Sequence, residues 1–401
     1  MPAEKQRNEM ESFYRTHAYL VEHTNAPVRR DLMDEIDWSD RLIGIKGTRG
    51  VGKTTFLLQY AKEKFGTDRS CLFINMNNFY FSGHSIVDFA NEFQKRGGKV
   101  LLIDQVFKHP EWSKELRMCY DRYPNLKIVF TGSSVMRLKE ENLELRDIAK
   151  SYNLRGFSFR EFLNLQTGMK FRAYSLEEIL STHEQIAKGV LSKVRPLDYF
   201  QDYLHHGFYP FFLEKRNFSE NLLKTMNMMV EVDILLIKQI ELKYLSKIKK
   251  LLYLLAVDGP KAPNVSQLAS DVQTSRATVM NYIKYLADAR LINLVYPKGE
   301  EFPKKPSKIM MHNSNLMYSI YPVKVEEQDV LDTFFVNTLW KDHKVHKGDK
   351  NVSFMVDEVM PFKICAEGTK IKNNPDVTYA LQKAEIGRGN QIPLWMFGFL
   401  Y

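Results

Sequence analysis

Apolar residues in the first 150 positions fall into short, near-continuous runs. "LIGI" (42–45), "CLFINM" (71–76), "KVLLID" (99–104) and "LKIVFTGSS" (126–134) are bounded by polar or turn-forming residues. Runs of this length predict strands buried on both faces, as in a parallel sheet. Helical spacing fills the gaps. "SIVDFANEFQKRGG" predicts a helix closed by glycine, and "KELRMCYDRYP" one stopped near Pro124. Strand and helix in alternation predict an α/β domain whose ligand sits at the carboxyl ends of the strands. That edge should carry the loop at Gly47, Asp104 and the Thr131/Ser133 tip.

The remainder reads differently. Residues from about Tyr174 to Ile240 predict helices rich in Leu, Ile and Met, expected as a lid over the ligand. "VSQLASDVQTSRATVMNYIKYLADARLINLVYP" predicts a helix, a tight turn, a second helix and an extended run, the pattern of a winged helix-turn-helix. Its second helix, about Ser275 to Ala289, offers Arg276, Thr278, Asn281 and Lys284 on exposed positions. "PLWMFGFLY" predicts a buried final strand. The expected domains are 1–173, a P-loop core; 174–242, a helical lid; 243–305, a winged helix; and 306–401, an α/β domain.

Composition changes little. The 401 residues are 44% hydrophobic and 26% charged, ordinary for a soluble globular chain. The N-terminal stretch lacks the apolar core of a signal peptide, and no apolar run reaches spanning length. Cys71, Cys119 and Cys365 are odd in number and scattered, which predicts reduced thiols in a cytoplasm. No membrane partner is expected. Net charge is +9, and between Lys243 and Lys308 there are 12 Lys or Arg against 5 Asp or Glu. Such an excess fits either a DNA-facing surface or a solvated face.

The chemistry enters at Gly47-Thr48-Arg49-Gly50-Val51-Gly52-Lys53-Thr54, followed by Thr55. This is G-x-x-x-x-G-K-[ST] between a strand and a helix. Glycines let the backbone turn its N–H groups onto phosphate oxygens, and the helix N-terminus adds its dipole. Lys53 is expected on the β- and γ-phosphates and Thr54 on Mg²⁺. The loop does not read the base, so ATP against GTP stays open on this motif.

"KGTRGVGKTT", "LLIDQVFKHPEWSKELRMCYDRYPNLKIVFTGSS" and "YNLRGFSFREFLNL" resemble a large family of prokaryotic AAA-type ATPases, related to the archaeal-type and signal-transducing ATPases with numerous domains. "YLHHGFYPFFLE", "PSKIMMHNSNLMYSI", "DTFFVNTL" and "IPLWMFGFLY" extend the resemblance over nearly the whole chain. It implies ATP binding and hydrolysis with Mg²⁺, a winged-helix segment and a C-terminal nuclease-like domain; assembly of several copies is open. By the same resemblance Asp104 positions Mg²⁺, and Ser133, or Thr131 or Ser134, is the polar sensor beside the γ-phosphate. Arg146 matches an arginine that reaches a neighbouring copy's phosphate, with Arg137, Arg155 and Arg160 as rivals. Gly207 and Pro210 resemble a turn lying against adenine; a helix-breaking loop reads equally well.

Two departures stand out. The family has Glu after the acid; this chain has Gln105. An amide keeps the reach of Glu but cannot take a proton, and losing a general base typically lowers rate about 10²–10⁴-fold. Either ATP is held unhydrolysed, whether the glutamine is natural or introduced, or the amide positions water as in some GTPases. In "NVSFMVDEVMPFKICAEGTK", Lys363 stands where a nuclease's strand acid is expected. Asp357, Glu358, Glu367 and Lys370 do not restore the pattern, so the last domain is expected to be catalytically dead.

Overall fold

The computed structural model describes residues 2–401 apart from Arg137, Lys215, Arg216 and Asn373, with backbone alone at 2–7 and 139. The chain divides into two compact units, Met1–Arg155 and Gly156–Tyr401. No helix among the described residues is long and apolar enough to cross a membrane.

In the first unit the apolar runs become β1 (Leu42–Gly47), β2 (Cys71–Asn75), β3 (Val100–Asp104) and β4 (Lys127–Ser133), joined by β5 (Lys150–Asn153). Their order is β2-β3-β4-β1-β5, and every adjacent pair is parallel. The helices are α1 (Pro2–His23), α2 (Leu32–Glu35), α3 (Lys53–Lys64), α4 (Ile86–Lys95), α5 (Trp112–Arg122) and α6 (Leu138–Glu141). Ser85 caps α4 by accepting from Asp88 N–H, and Gly97 follows it at φ +85°, as the glycine pair predicted. Helix α1 lies on the edge strand β2. There the Phe73 N–H, which edge position leaves without a strand partner on that side, donates to His17 Nδ1 at 3.0 Å. Burial lowers the His17 pKa to about 4, so the ring stays neutral and can accept.

The second unit holds α7 (Phe159–Thr167), α8 (Leu176–Leu191), α9 (Leu197–Asp202), α10 (Phe218–Met228), α11 (Leu235–Lys238), α12 (Leu245–Asp258), α13 (Val265–Val272), α14 (Arg276–Asp288), α15 (Ser314–Ile320) and α16 (Glu327–Leu339). Helix α7, expected with the first domain, folds here. Arg160 on it is buried and donates through Nε to the Tyr401 carbonyl at 3.0 Å and through Nη1 to the Phe171 carbonyl at 3.1 Å. Helices α13 and α14 precede an antiparallel pair, β6 (Ile292–Val295) and β7 (Lys308–Met311).

A mixed sheet follows, built from β8 (Val345–Lys347), β9 (Phe354–Val356), β10 (Met360–Cys365), β11 (Thr378–Leu381) and β12 (Gln391–Pro393). Its order is β12-β11-β10-β9-β8, parallel from β10 to β12 and antiparallel from β10 to β8. "PLWMFGFLY" is buried as predicted, but Leu394–Phe399 is a 3₁₀ helix and not a strand. Bulk apolar residues at every position cannot separate the two forms; the core takes either.

Two π-turns, Tyr203–Gly207 and Met229–Ile234, interrupt the helices. A π-turn shifts the backbone hydrogen bonds of a helix. At the first, Asn315 Nδ2 donates to the Tyr203 and Leu204 carbonyls, and its Oδ1 accepts from Phe208 N–H. A buried polar group must be bonded or it costs about 1–3 kcal/mol, which accounts for a buried "HNSN" in an apolar core.

Candidate nucleotide site

The phosphate loop leaves β1 at Gly47. A Cβ there would stand 2.4 Å from the Leu154 carbonyl, so only glycine fits. Gly50 and Gly52 take φ +85° and +94°, a region closed to most side chains. Lys53 then opens α3, whose first N–H groups lack intrahelical partners and favour an anion. The Lys53 ammonium folds back onto the Gly47 and Thr48 carbonyls, 2.8 Å from each. Buried Arg30 braces the loop from beneath, donating to the Val51 carbonyl at 3.4 Å and the Arg155 carbonyl at 2.8 Å. Arg49 is half-buried, Val51 is buried, and Thr54 and Thr55 face outward at the start of the helix.

Asp104 ends β3 and is 1% exposed. Three neighbours hold it: Thr54 Oγ1 and Asn75 Nδ2 each donate to Oδ2 at 2.8 Å, and Thr131 Oγ1 donates to Oδ1 at 2.6 Å. Register explains the convergence, since β2 pairs Asn75 with Asp104 and β1 pairs Gly47 with Ser133. Parallel strands bring all of these ends to one edge. A carboxylate beside a threonine hydroxyl is a set of hard oxygen donors that suits Mg²⁺.

Gln105 has φ +56°, ψ +47°, a left-handed conformation that a non-glycine residue rarely adopts. Its N–H donates to Thr131 Oγ1 at 2.8 Å. One buried hydroxyl thus holds both the acid and the backbone of the next residue. Ser133 is also buried, and its Oγ accepts from Val135 N–H at 3.3 Å. Of the polar residues at the β4 tip, Thr131 touches Asp104. His109 is buried, its Nε2 3.1 Å from Glu115 Oε1, while Glu111 pairs with Lys114 at 2.6 Å.

The arginines separate by environment. Arg146 is exposed before β5, Arg155 is half-buried, and Arg160 is buried on the Phe171 and Tyr401 carbonyls. Burial removes Arg160 as a rival for contact with another copy. Arg137 lies outside the described residues. Gly207 closes the first π-turn, where an added Cβ would meet Tyr203 at 2.4 Å and Phe162 at 2.9 Å; Pro210 opens the 3₁₀ helix Pro210–Glu214. Packing alone requires the glycine.

Helix α14 departs from expectation. Ser275 caps it, accepting from Thr278 N–H, with Thr278 Oγ1 2.9 Å from Ser275 Oγ. Lys284 is half-buried and pairs with Asp288 at 2.6 Å. Arg276 and Asn281 are exposed as predicted. The basic surplus of 243–308 is also offset: Lys298 pairs with Glu358, Lys308 with Asp332 and Lys249 with Glu231, all acids outside the segment.

In the mixed sheet the acids are dispersed. Asp357 bonds His343 at 2.6 Å and Glu358 pairs with Lys298 at 3.1 Å. Among the described residues no group of three or more His, Cys, Asp or Glu could hold a metal ion. All three cysteines are free and buried, and burial pushes the Cys71 and Cys119 thiols up to about 12.

Residues 39–163 match the family model described as an AAA domain, and residues 197–324 match a domain of unknown function (DUF8612). Two uncharacterized proteins of Methanocaldococcus jannaschii are similar: one is 30% identical over 274 residues, covering 64% of this chain and 57% of the relative. The other is 26% identical over 267 residues, covering 63% and 55%. The chain therefore spans just over half the length of these relatives. Among solved structures, Thermotoga maritima RuvB aligns with 79% of this chain and 95% of its own at 15% identity and TM-score 0.29. Aeropyrum pernix ORC1, solved in complex with DNA, aligns with 78% and 92% at 11% identity and TM-score 0.30. The match is thus to an AAA domain, and the five-stranded parallel sheet lies within the matched residues.

Proposed function

We propose that the first unit binds ATP with Mg²⁺ and turns it over slowly. The observation that carries this reading is the Thr54 Oγ1–Asp104 Oδ2 hydrogen bond, which unites two motifs 50 residues apart. Lys53 leaves the loop carbonyls for the terminal phosphates when a nucleotide supplies better acceptors. Thr54 and Asp104 would hold the metal, which would supply positive charge to the phosphates. The other loop residues, Gly47 to Gly52 and Thr55, supply backbone N–H groups, and Ser133 lies at the same sheet edge as a polar sensor. Gln105 can hydrogen-bond water but cannot deprotonate it. Arg146, exposed before β5, is assigned to the phosphate of another copy.

The test is Gln105→Glu. Restoring a base is expected to raise steady-state phosphate release at least about tenfold, and up to the roughly 10²–10⁴ of general-base catalysis. Equal rates for the two proteins mean that the amide is no block. Lys53→Ala controls for contaminating activity.

A second reading rests on the helix–turn–helix of α13 and α14 with the β6–β7 pair. This arrangement fits a winged helix, through which nucleotide state would govern DNA contact or a scaffold role in the cytoplasm. The dispersed acids of the mixed sheet argue against an ATP-driven nuclease and for a degenerate one.

A further inference from the structure

We propose that Phe79 anchors a docking point for a cationic protein segment, and that its pose follows the state of Asp104. Phe79 is 92% exposed. Single exposed apolar residues are common and need no explanation. This one differs in its support, its neighbours and its connection.

The support is rigid. Phe79 starts the 3₁₀ helix Phe79–Ser82, which Asn78 caps by accepting from Tyr80 N–H at 3.0 Å. Phe81 beneath it packs against Phe89 and Phe13 with ring centroids 5.4 and 5.9 Å apart. Beside it Tyr80 and His84 stack at 4.0 Å, and His84 Nδ1 donates to the Tyr80 carbonyl at 2.8 Å. An aromatic surface is therefore held in water by fixed backbone, at no ordering cost when a partner arrives.

The connection is a run of hydrogen bonds. Asn75 Nδ2 donates to Asp104 Oδ2 at 2.8 Å, Met76 N–H to the Asp104 carbonyl at 3.0 Å, and Asn77 N–H to Asn75 Oδ1 at 2.8 Å. Two residues later the chain reaches Phe79. A metal drawn to Asp104 competes for the same Oδ2 that Asn75 occupies, so Asn75 and the segment after it have two arrangements to choose between.

Charge selects the partner. Among the described residues the charges that act on Tyr80 are Glu9, Asp88 and Glu92, the last also paired with Lys95 at 3.2 Å. From Asn75 to Asp88 the chain has no Lys or Arg. A phosphate backbone is repelled here. A guanidinium or ammonium gains both the acids and the aromatic faces. The chain as a whole is +9, so a cationic ligand is drawn by this local surface and not by net charge.

The experiment is fluorescence anisotropy of a labelled arginine-rich peptide on the full chain, with and without ATP and Mg²⁺. Phe79→Ala is expected to weaken binding at least about fivefold, Phe79→Trp to retain it, and a fluorescent ATP analogue to bind both variants as it binds the parent. Unchanged peptide affinity in Phe79→Ala overturns the docking point. So does preferential binding of oligo(dT) that Phe79→Ala abolishes, which identifies a nucleic-acid surface, or self-association in sedimentation that it abolishes, which identifies a second copy. The nucleotide dependence rests on the proposed ATP site. If Lys53→Ala leaves the difference between the two nucleotide conditions intact, that coupling fails while the docking point stands.

Discussion

The chain builds two five-stranded sheets, and only one collects functional groups at an edge. In the first, all four strand pairs are parallel, so the carboxyl ends of β1, β3 and β4 lie together with Gly47, Asp104 and Ser133 upon them. In the second, β10, β11 and β12 are parallel while β9 and β8 run antiparallel to their neighbours, so the ends of β8 to β10 alternate between the two sides. The acids of its β9–β10 turn are consumed one at a time, Asp357 by His343 and Glu358 by Lys298. Around Asp104, by contrast, Thr54, Thr131 and Asn75 all converge on one carboxylate. Ion pairs scattered over a surface neutralise charge without making a site.

The largest effect that separates the sheets is charge removal. Lys53→Ala is expected to cost ATP binding about 4 kcal/mol, roughly 10³-fold, while Lys363→Ala on β10 leaves it unchanged. Titration with a fluorescent analogue reads both; a loss in the second variant would give the mixed sheet a share of the site.

Next comes pH. His17 holds the edge of the first sheet, and its folded pKa of about 4 lies below the unfolded value of 6.5. The neutral ring is the bonded form, so its stabilisation is full above pH 6.5 and is lost as pH falls toward 4. The total is about 3 kcal/mol, in proportion to the shift. Urea unfolding of the parent and His17→Gln at pH 7.5 and 4.5 checks it. The glutamine variant should lose less on acidification, and an equal loss would assign the acid sensitivity elsewhere.

Thr131→Val removes the hydroxyl that Asp104 and Gln105 share. Two buried partners each lose a bond, a cost of about 2 kcal/mol, and Thr131→Ser should recover most of it. Thermal unfolding measures the stability. If valine is as stable as threonine, the left-handed Gln105 is held by something other than this bond.

The smallest effect is expected on α14. With Lys284 already paired to Asp288, Arg276→Ala together with Lys284→Ala should weaken DNA retention at low salt only about two- to fivefold, with a shallow salt slope. A steep slope would show that phosphate contacts dominate there and would favour the DNA reading.

The sequence by itself determined the elements whose signals are local. Glycine spacing marked the phosphate loop because each glycine answers a backbone demand at its own position, as Gly47 and Gly52 show. Apolar runs marked β1 to β4, since a strand covered on both faces must be apolar throughout. Tertiary structure decided what depends on distant pairs. Asn75 and Arg30 carry no motif, and they matter because strand register and the loop's underside bring them to Asp104 and Val51. Arg160 reads as a surface arginine until the fold sets Tyr401, 241 residues away, against it. Hydrogen bonds are short-ranged in space and indifferent to separation along the chain, so patterning could name the candidates but only the packed fold could say which of them meet.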